Sequence, residues 1–302
     1  MATIDLSVLP APNVIEQLNF EVLFAERKAA LIAAIPAEQR ATLARTLELE
    51  SEPLVKLLQE NCYRELMLRQ RVNEAARASM VAFATGADLD QLAANYGVTR
   101  LVLFPGNKQA IPPIPAIYES DSALRVRLPG AFEALSVAGP VGSYQHHALS
   151  ADGRVADVSV TSPAPAHVTV TVLSREGDGT APVDLIKKVN TALNDEDVRP
   201  VADRVTVLSA DIVHYDIEAV IYCYPAPEYE PITDAAQAQL KRYTTQQHRL
   251  GRDIVLSAIY AALHVPGVQR VEIKKPAADM ILDKTQASYC THINVTLGGT
   301  DE

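Results

Sequence analysis

The residues best placed to do chemistry are His146 and His147, the acidic run Asp195-Glu196-Asp197, and an aspartate between two glycines, Gly177-Asp178-Gly179. Neighbouring residues on a helix project about 100° apart, so the two histidines cannot ligate one metal from a regular helix. They read as packed or surface side chains. The acidic run could bind a cation, but at the end of a helical pattern it reads first as a solvated loop. The turn Gly177-Asp178-Gly179 ahead of Thr180 could face an anion at a helix start, and turn chemistry accounts for it more simply. His214, Asp216 and Glu218 alternate along a strand-like run and share one face; they are what an enzyme with an unrecognised site, assembled from distant residues, would draw on.

The compact motifs of catalysis are missing from the sequence: GxGxxG after a strand, GxxxxGK[ST], HExxH, GxSxG and the calcium-loop pattern. A phosphate cradle or a metal ligand set needs closely spaced residue types, so no catalytic residue, cofactor or metal is assigned. Cys62, Cys223 and Cys290 are odd in number and far apart, which suits neither a disulfide framework nor a zinc site. They read as reduced thiols. The sequon Asn294-Val295-Thr296 carries no weight without a secretory context.

Composition narrows the class further. The chain has 302 residues, 48% of them hydrophobic and 21% charged, which is globular composition with length for about two domains. A formal charge of -10, with no basic run interleaved with aromatics, excludes nucleic acid as a main partner. The N-terminus, MATIDLSVLPAPNVIEQLNFEV, has an early Asp5 and no continuous apolar core, so no signal peptide is expected. No apolar run reaches 18 residues, and no membrane span is expected.

The elements explain more than the candidate chemistry does. After an extended arm punctuated by Pro10 and Pro12, Asn19 caps a helix bearing Phe20, Leu23, Phe24, Leu31 and Ile35 and ended by Pro36. A second helix covers Ala37 to Glu50. Ser51, Glu52 and Pro53 then open a long helix with no breaker until Gly86. Val55, Leu58, Cys62, Leu66, Arg69, Val72, Ala76, Met80 and Phe83 step by three or four along one face. Leu54, Leu57 and Leu68 make a second apolar stripe. From Pro53 to Ala84 such a helix spans about 48 Å. Asp88 with Gln91 reads as a capping box for a following helix that Gly97 ends. Apolar on two sides, the long helix reads either as buried within one domain or as an assembly surface.

The stretch 105–120, with Pro105, Pro112, Pro113 and Pro115, reads as a stiff connector. Beyond it two helices followed by two strands occur twice. The first set is Ser122–Leu135, Tyr144–Leu149, Val155–Val160 and His167–Val172; the second is Thr233–Gln247, Ile254–Leu263, Val268–Ile273 and His292–Leu297. Between them lie a helix with Leu185, Ile186, Val189 and Leu193, a strand at Val205 and Val207, and an alternating strand through Val213, Tyr215, Ile217, Ala219 and Ile221, with Pro225, Pro227 and Pro231 blocking its extension. The expected fold class is α+β: a helical region over 1–104, a connector over 105–120, and two related α+β units over 121–208 and 209–302, each built as two helices and a β-hairpin.

Four stretches carry a resemblance. They are ESEPLVKLLQE, YRELMLRQRVNEAARA and ATGADLDQLAANYGVTR within residues 50–100, and ESDSALRVRLPGAFEALSVAGPVGSYQHHALSADGRVADVSV over 119–160. In these the chain resembles the baseplate J-like family, wedge proteins of contractile bacteriophage tails and R-type pyocins. The resemblance implies a structural, non-enzymatic role. It implies helices shared in a bundle with a second copy of the chain and with another baseplate wedge protein, and α+β domains that join neighbouring wedges around the hub. Tail sheath initiator and tail-fibre attachment proteins are further expected partners. The expected location is the host bacterial cytoplasm during assembly and then the baseplate of the particle. On this reading Val55, Leu58, Cys62, Leu66, Val72 and Met80 are the expected bundle contacts. The alternative is a ligand-binding or regulatory oligomer of α+β units.

Overall fold

In the computed structural model the described residues are Pro10, 12–136, 138–225 and 229–300. Asp5 and most of the N-terminal arm, and Pro227, lie outside them. The chain divides into two compact units, residues up to Thr99 and residues from Arg100 onward. Among the described residues the first is helical and the second carries helices and three small sheets, so the class is α+β.

The helical unit holds α1 (Phe20–Ala34), α2 (Ala37–Thr46), α3 (Pro53–Ala78) and α4 (Gly86–Ala94). Asn19 caps α1 as expected, its side-chain oxygen accepting from the Glu21 and Val22 amides. α2 ends at Thr46, short of Glu50, and Leu47 just beyond it is buried. α3 differs from expectation at both ends. Its N-cap is Glu52, not Ser51, and no side chain caps it, since Pro53 removes one of the amides that would need a partner. It stops at Ala78, 26 residues and about 39 Å long, well before Gly86. The reason lies in the sequence that follows. Ser79 donates its hydroxyl to the Ala76 carbonyl at 2.8 Å, a bond that competes with helix propagation. Met80, Val81, Ala82 and Phe83 are four consecutive apolar residues, which one helical face could not cover; in a turn they become half-buried and Ala84 fully buried. The capping box at Asp88 and Gln91 does not form, because α4 already begins at Gly86 behind Thr85.

The second unit opens on the Pro-rich stretch. It folds back on itself as a ribbon, β1 (Val102–Phe104) antiparallel to β2 (Ile117–Tyr118), with Asn107 bridged to Ile114. Gly106 (φ +72°) makes the fold-back feasible, since a Cβ there would lie 2.6 Å from the Ile114 carbonyl oxygen. The expected helix over Ser122–Leu135 breaks into α5 (Asp121–Arg127), a 3₁₀ turn at Leu128–Gly130 and α6 (Ala131–Ala134). Pro129 is the cause, a breaker in the middle of an apolar pattern.

Then follow α7 (Val141–Ala151), β3 (Val155–Ala164), β4 (His167–Ser174), α8 (Val183–Leu193) and β5 (Arg204–Ser209). β4 is central, antiparallel to β3 and parallel to β5. Leu185, Val189 and Leu193 of α8 pack with Val170 and Val172 in the core beneath this sheet.

The remaining elements are β6 (Asp211–Cys223), α9 (Glu230–Gln247), α10 (Leu256–Leu263), β7 (Val268–Lys275) and β8 (Gln286–Thr300). The alternation read along β6 is observed, and Ile217, Ala219 and Ile221 are buried under α9 and α10 with Leu240 and Ile259. Pro231 serves to start α9 rather than to fend off a neighbouring strand. The second pair of strands is not a hairpin: β7 and β8 lie on opposite sides of β6, antiparallel and parallel to it. β6 is thirteen residues of mostly β-branched and aromatic side chains, apolar enough to be a central strand, so it separates its successors. A small cluster of Leu173, Ala210 and Ala287 ties the two sheets together, with Asp157 accepting from the Leu250 amide at 3.1 Å.

His146 lies on α7 against Gly130, its Nδ1 buried with no hydrogen-bond partner. Burial first, then repulsion from His147 and Arg127, pushes its pKa down from 6.5 to about 4. A depressed histidine pKa means the unfolded chain binds the proton first. Stability is therefore whole above pH 6.5 and falls as the pH drops towards 4. Allowing for screening on its solvent side, the loss should be about 1–2 kcal/mol. Denaturant melts at pH 7 and pH 4.5 should show His146→Gln losing less stability across that interval than the natural chain; an equal loss would contradict the assignment.

Candidate assembly interface

The chemistry-bearing residues do not converge. The ring of His147 stands edge-on to His146 at 5.9 Å, and among the described residues no group of three or more His, Cys, Asp or Glu side chains is placed to hold a metal. Asp195 accepts from the Asp197 amide, and Asp178 accepts from the Thr180 amide, so both are occupied in their own turns. On the polar face of β6, His214 meets Asp178 at 3.2 Å and Glu218 meets Lys275 at 2.8 Å. These are separate surface pairs strung along a strand, each of small energetic weight. Cys62 and Cys223 are buried free thiols, and burial pushes the Cys290 thiol up to about 11.

The helical unit offers a surface instead. One face of α3 packs against α1. Val55 and Cys62 on that face are fully buried, and Leu58, Leu66 and Met80 of the same stripe are half-buried. Val72 is 61% exposed. Asn73 is a buried residue that the apolar periodicity passes over: its side chain accepts from the Glu16 amide at 3.1 Å and donates to the Glu16 carbonyl at 2.9 Å. This pair of bonds ties the segment before α1 to α3. Arg69 interrupts the stripe and sits at the surface, bonded to Glu65 and Glu16, while Arg27 of α1 also reaches Glu65. Those two arginines hold the Glu65 carboxyl below its ordinary range.

The second stripe is the exposed one. Leu57 is 56% and Leu68 69% exposed, and Val72, drawn from the sequence into the first stripe, is 61% exposed alongside them. With half-buried Leu54, they fall within about 60° of one another around α3, roughly a third of a turn from the packed face. Asn61 lies in the same seam, and Tyr63 and Met67 are exposed farther round the helix. Leu54 and Leu57 lie at one end of this side and Leu68 and Val72 at the other, with Asn61 and Arg64 between them; exposed apolar side chains grouped on one side of a helix are what a contact site presents. Leu57 and Leu68 are visible in the sequence as a stripe; that they are the uncovered one depends on where α1 packs.

Residues 50–107 match the baseplate J-like N-terminal domain, 136–209 the baseplate J-like central domain and 215–296 the baseplate J-like protein C-terminal domain. The chain is 63% identical to baseplate protein J of Escherichia phage P2 over 302 residues, all of both chains. A chain in the cryo-EM structure of the anti-feeding prophage baseplate superposes with a TM-score of 0.43 at 14% identity, over 60% of this chain and 44% of that one. Identity of this extent over the whole length, with all three domains in order, places the chain in the baseplate J-like family.

Proposed function

We propose that this chain is a structural component of the baseplate of a contractile tail, built into wedges around the central hub, and not an enzyme. Its relationship to a phage baseplate protein supports the baseplate role. The observation that carries the wedge reading is the uncovered apolar line on α3. A helix of about 39 Å that packs one face on its own unit and leaves Leu57, Leu68 and Val72 in water is built for a bundle whose other helices come from elsewhere. Of the six contacts suggested by the resemblance, Val72 remains the most accessible, while Val55 and Cys62 support the bundle from beneath by fixing α3 on α1. Asn61 within the seam would favour one register, as a single polar residue does in a coiled coil.

The partners on this reading are a second copy of the chain and other baseplate wedge proteins in the bundle, with sheath-initiating and fibre-attaching proteins beyond. The α+β unit would join neighbouring wedges. Assembly would take place in the host cytoplasm before the particle is complete. The reading is tested by recovery of tagged chain from cells producing the whole gene cluster: baseplate proteins should accompany it in fixed ratios, and recovery of the chain alone would contradict the proposal.

A further inference from the structure

A cavity of about 360 Å³ lies between the foot of the β1–β2 ribbon, α5 and the start of β3. Its apolar wall is formed by Leu101, Ala123, Val126, Leu149 and Val155. Three arginines and two carboxylates also line it, and they are not equally engaged. Arg127 and Glu119 are matched to each other. Asp157 is held by backbone amides, its two oxygens accepting from Val158 at 3.0 Å and from Leu250 at 3.1 Å. Arg175, just beyond β4, donates its Nε to the Gly153 carbonyl at 3.1 Å, and among the described residues its two terminal nitrogens have no partner. Arg249, just beyond α9, makes no side-chain hydrogen bond or ion pair among the described residues. The hydroxyls of Ser120 and Ser122 stand 2.9 Å apart, so one of their protons joins them and the other is left to donate. In a chain of net charge -10, this cavity therefore holds a local surplus of one positive charge and an excess of donors.

We infer that this cavity binds the C-terminal carboxylate of a polypeptide partner whose last side chain is apolar. The forked guanidiniums of Arg175 and Arg249 suit a planar carboxylate, which each can hold through two parallel bonds. Charge selects among anions. A surplus of one positive charge balances a monoanion, whereas a phosphate monoester, at about -1.5 to -2, would stand uncompensated against Glu119 and Asp157. The apolar wall calls for an organic group behind the anion, as small-ligand sites with a few placed polar groups do. A polypeptide end fits better than a hydrocarbon acid, because polar groups extend beyond the arginines. One is the spare serine proton. The other is the backbone of Ala156, which lines the cavity and is the extra residue of a bulge, skipped in the register of β3 with β4. An amide chain behind the carboxylate can meet both, and a hydrocarbon tail would leave them unpaired. The inference uses neither the α3 stripe nor the baseplate role, and holds or fails independently of them.

The experiment titrates acetyl-Ala-Ala-Leu, as the free acid and as its C-terminal amide, into the full natural chain. Binding is read by calorimetry and by amide NMR shifts. The acid should bind about tenfold or more tighter than the amide, with shifts at Ser122, Ala156 and Arg249. Arg249→Gln should weaken the acid by about tenfold. It should leave the amide's affinity and the melting temperature unchanged, because Arg249 is exposed. Arg175→Lys, which keeps the charge and loses the fork, should weaken the acid by a smaller factor. Hexanoate, inorganic phosphate and an acetylated peptide amide with an internal glutamate should each compete about tenfold less well than the acid. Equal affinity for acid and amide, or an Arg249→Gln chain that binds the acid as its parent does, would overturn the inference. So would an equal competitor: hexanoate would make this a site for free organic acids, phosphate a simple anion site, and the glutamate peptide a site for acidic side chains. Failure of acids ending in Leu, Val and Phe alike to bind at millimolar concentration would overturn it as well.

Discussion

Leu57→Glu with Leu68→Glu is expected to remove this chain from baseplate complexes while leaving the isolated chain folded. Both side chains are more than half exposed on α3, and glutamate is nearly as good a helix former as leucine, so stability should change by only about 0.5 kcal/mol. Buried in a helical bundle, each carboxylate would stand without a partner and cost about 3 kcal/mol, roughly a hundredfold in affinity apiece. Val55→Glu gives the contrasting result. Val55 is 1% exposed against the unit's own helices, so a charge there should unfold the helical unit whether or not a partner is present. Thermal melts of the purified variants, set beside co-purification from cells, separate the two cases. Aspartate at Leu58 or Leu66 would be a poorer probe, because both are half-buried and the change would disturb the inner packing as well as the outer face. Intact complexes from the double variant would show that the stripe is not a contact.

Arg127→Met is expected to destabilise the second unit by about 3–5 kcal/mol. The Arg127 guanidinium sits almost wholly out of water and donates to both oxygens of Glu119, at 3.2 and 2.8 Å, with a further bond to the Ser150 hydroxyl at 3.2 Å. Glu119 is 3% exposed and also accepts from the Leu101 amide, while Arg100 donates to its carbonyl and to Asp121. This network fastens the foot of the β1–β2 ribbon to α5. Removal of the arginine leaves a buried carboxylate without its counter-charge, which is the costly step; a carboxylate and guanidinium removed together leave no orphan. Urea melts should therefore show Glu119→Gln with Arg127→Met recovering at least half of what Arg127→Met loses. A double variant as unstable as the sum of its singles would mean that the pair is not coupled.

Much of the helical unit was legible because its signals are local. Asn19 before an apolar stripe and Pro36 after it bound α1 without reference to anything distant. The end of α3 was not legible in the same way: Met80 and Phe83 keep the helical period, and what draws them out of the helix is the gain from burying four consecutive apolar residues in a turn. β6 declared itself by alternation. Its effect on β7 and β8 did not, because strand order is set by pairing between distant segments, and adjacent strands usually form hairpins. The candidate interface was half visible. Two apolar stripes could be drawn on α3, but only the position of α1 decides that Val55 and Cys62 face inward and Leu57 and Leu68 outward. Asn73 and the Glu119–Arg127 pair gave no sequence signal, since a buried polar residue is recognised by its partners and these lie eight or more positions away.

The most direct measurement is affinity recovery of the tagged, otherwise natural chain from cells producing the complete gene cluster, with the accompanying proteins identified and their ratios determined. The wedge account expects baseplate and tail proteins in fixed stoichiometry, more than one copy of this chain per complex, and loss of those proteins with the double glutamate variant. Recovery of the chain free of tail proteins, monomeric and unaffected by the substitutions, would contradict it.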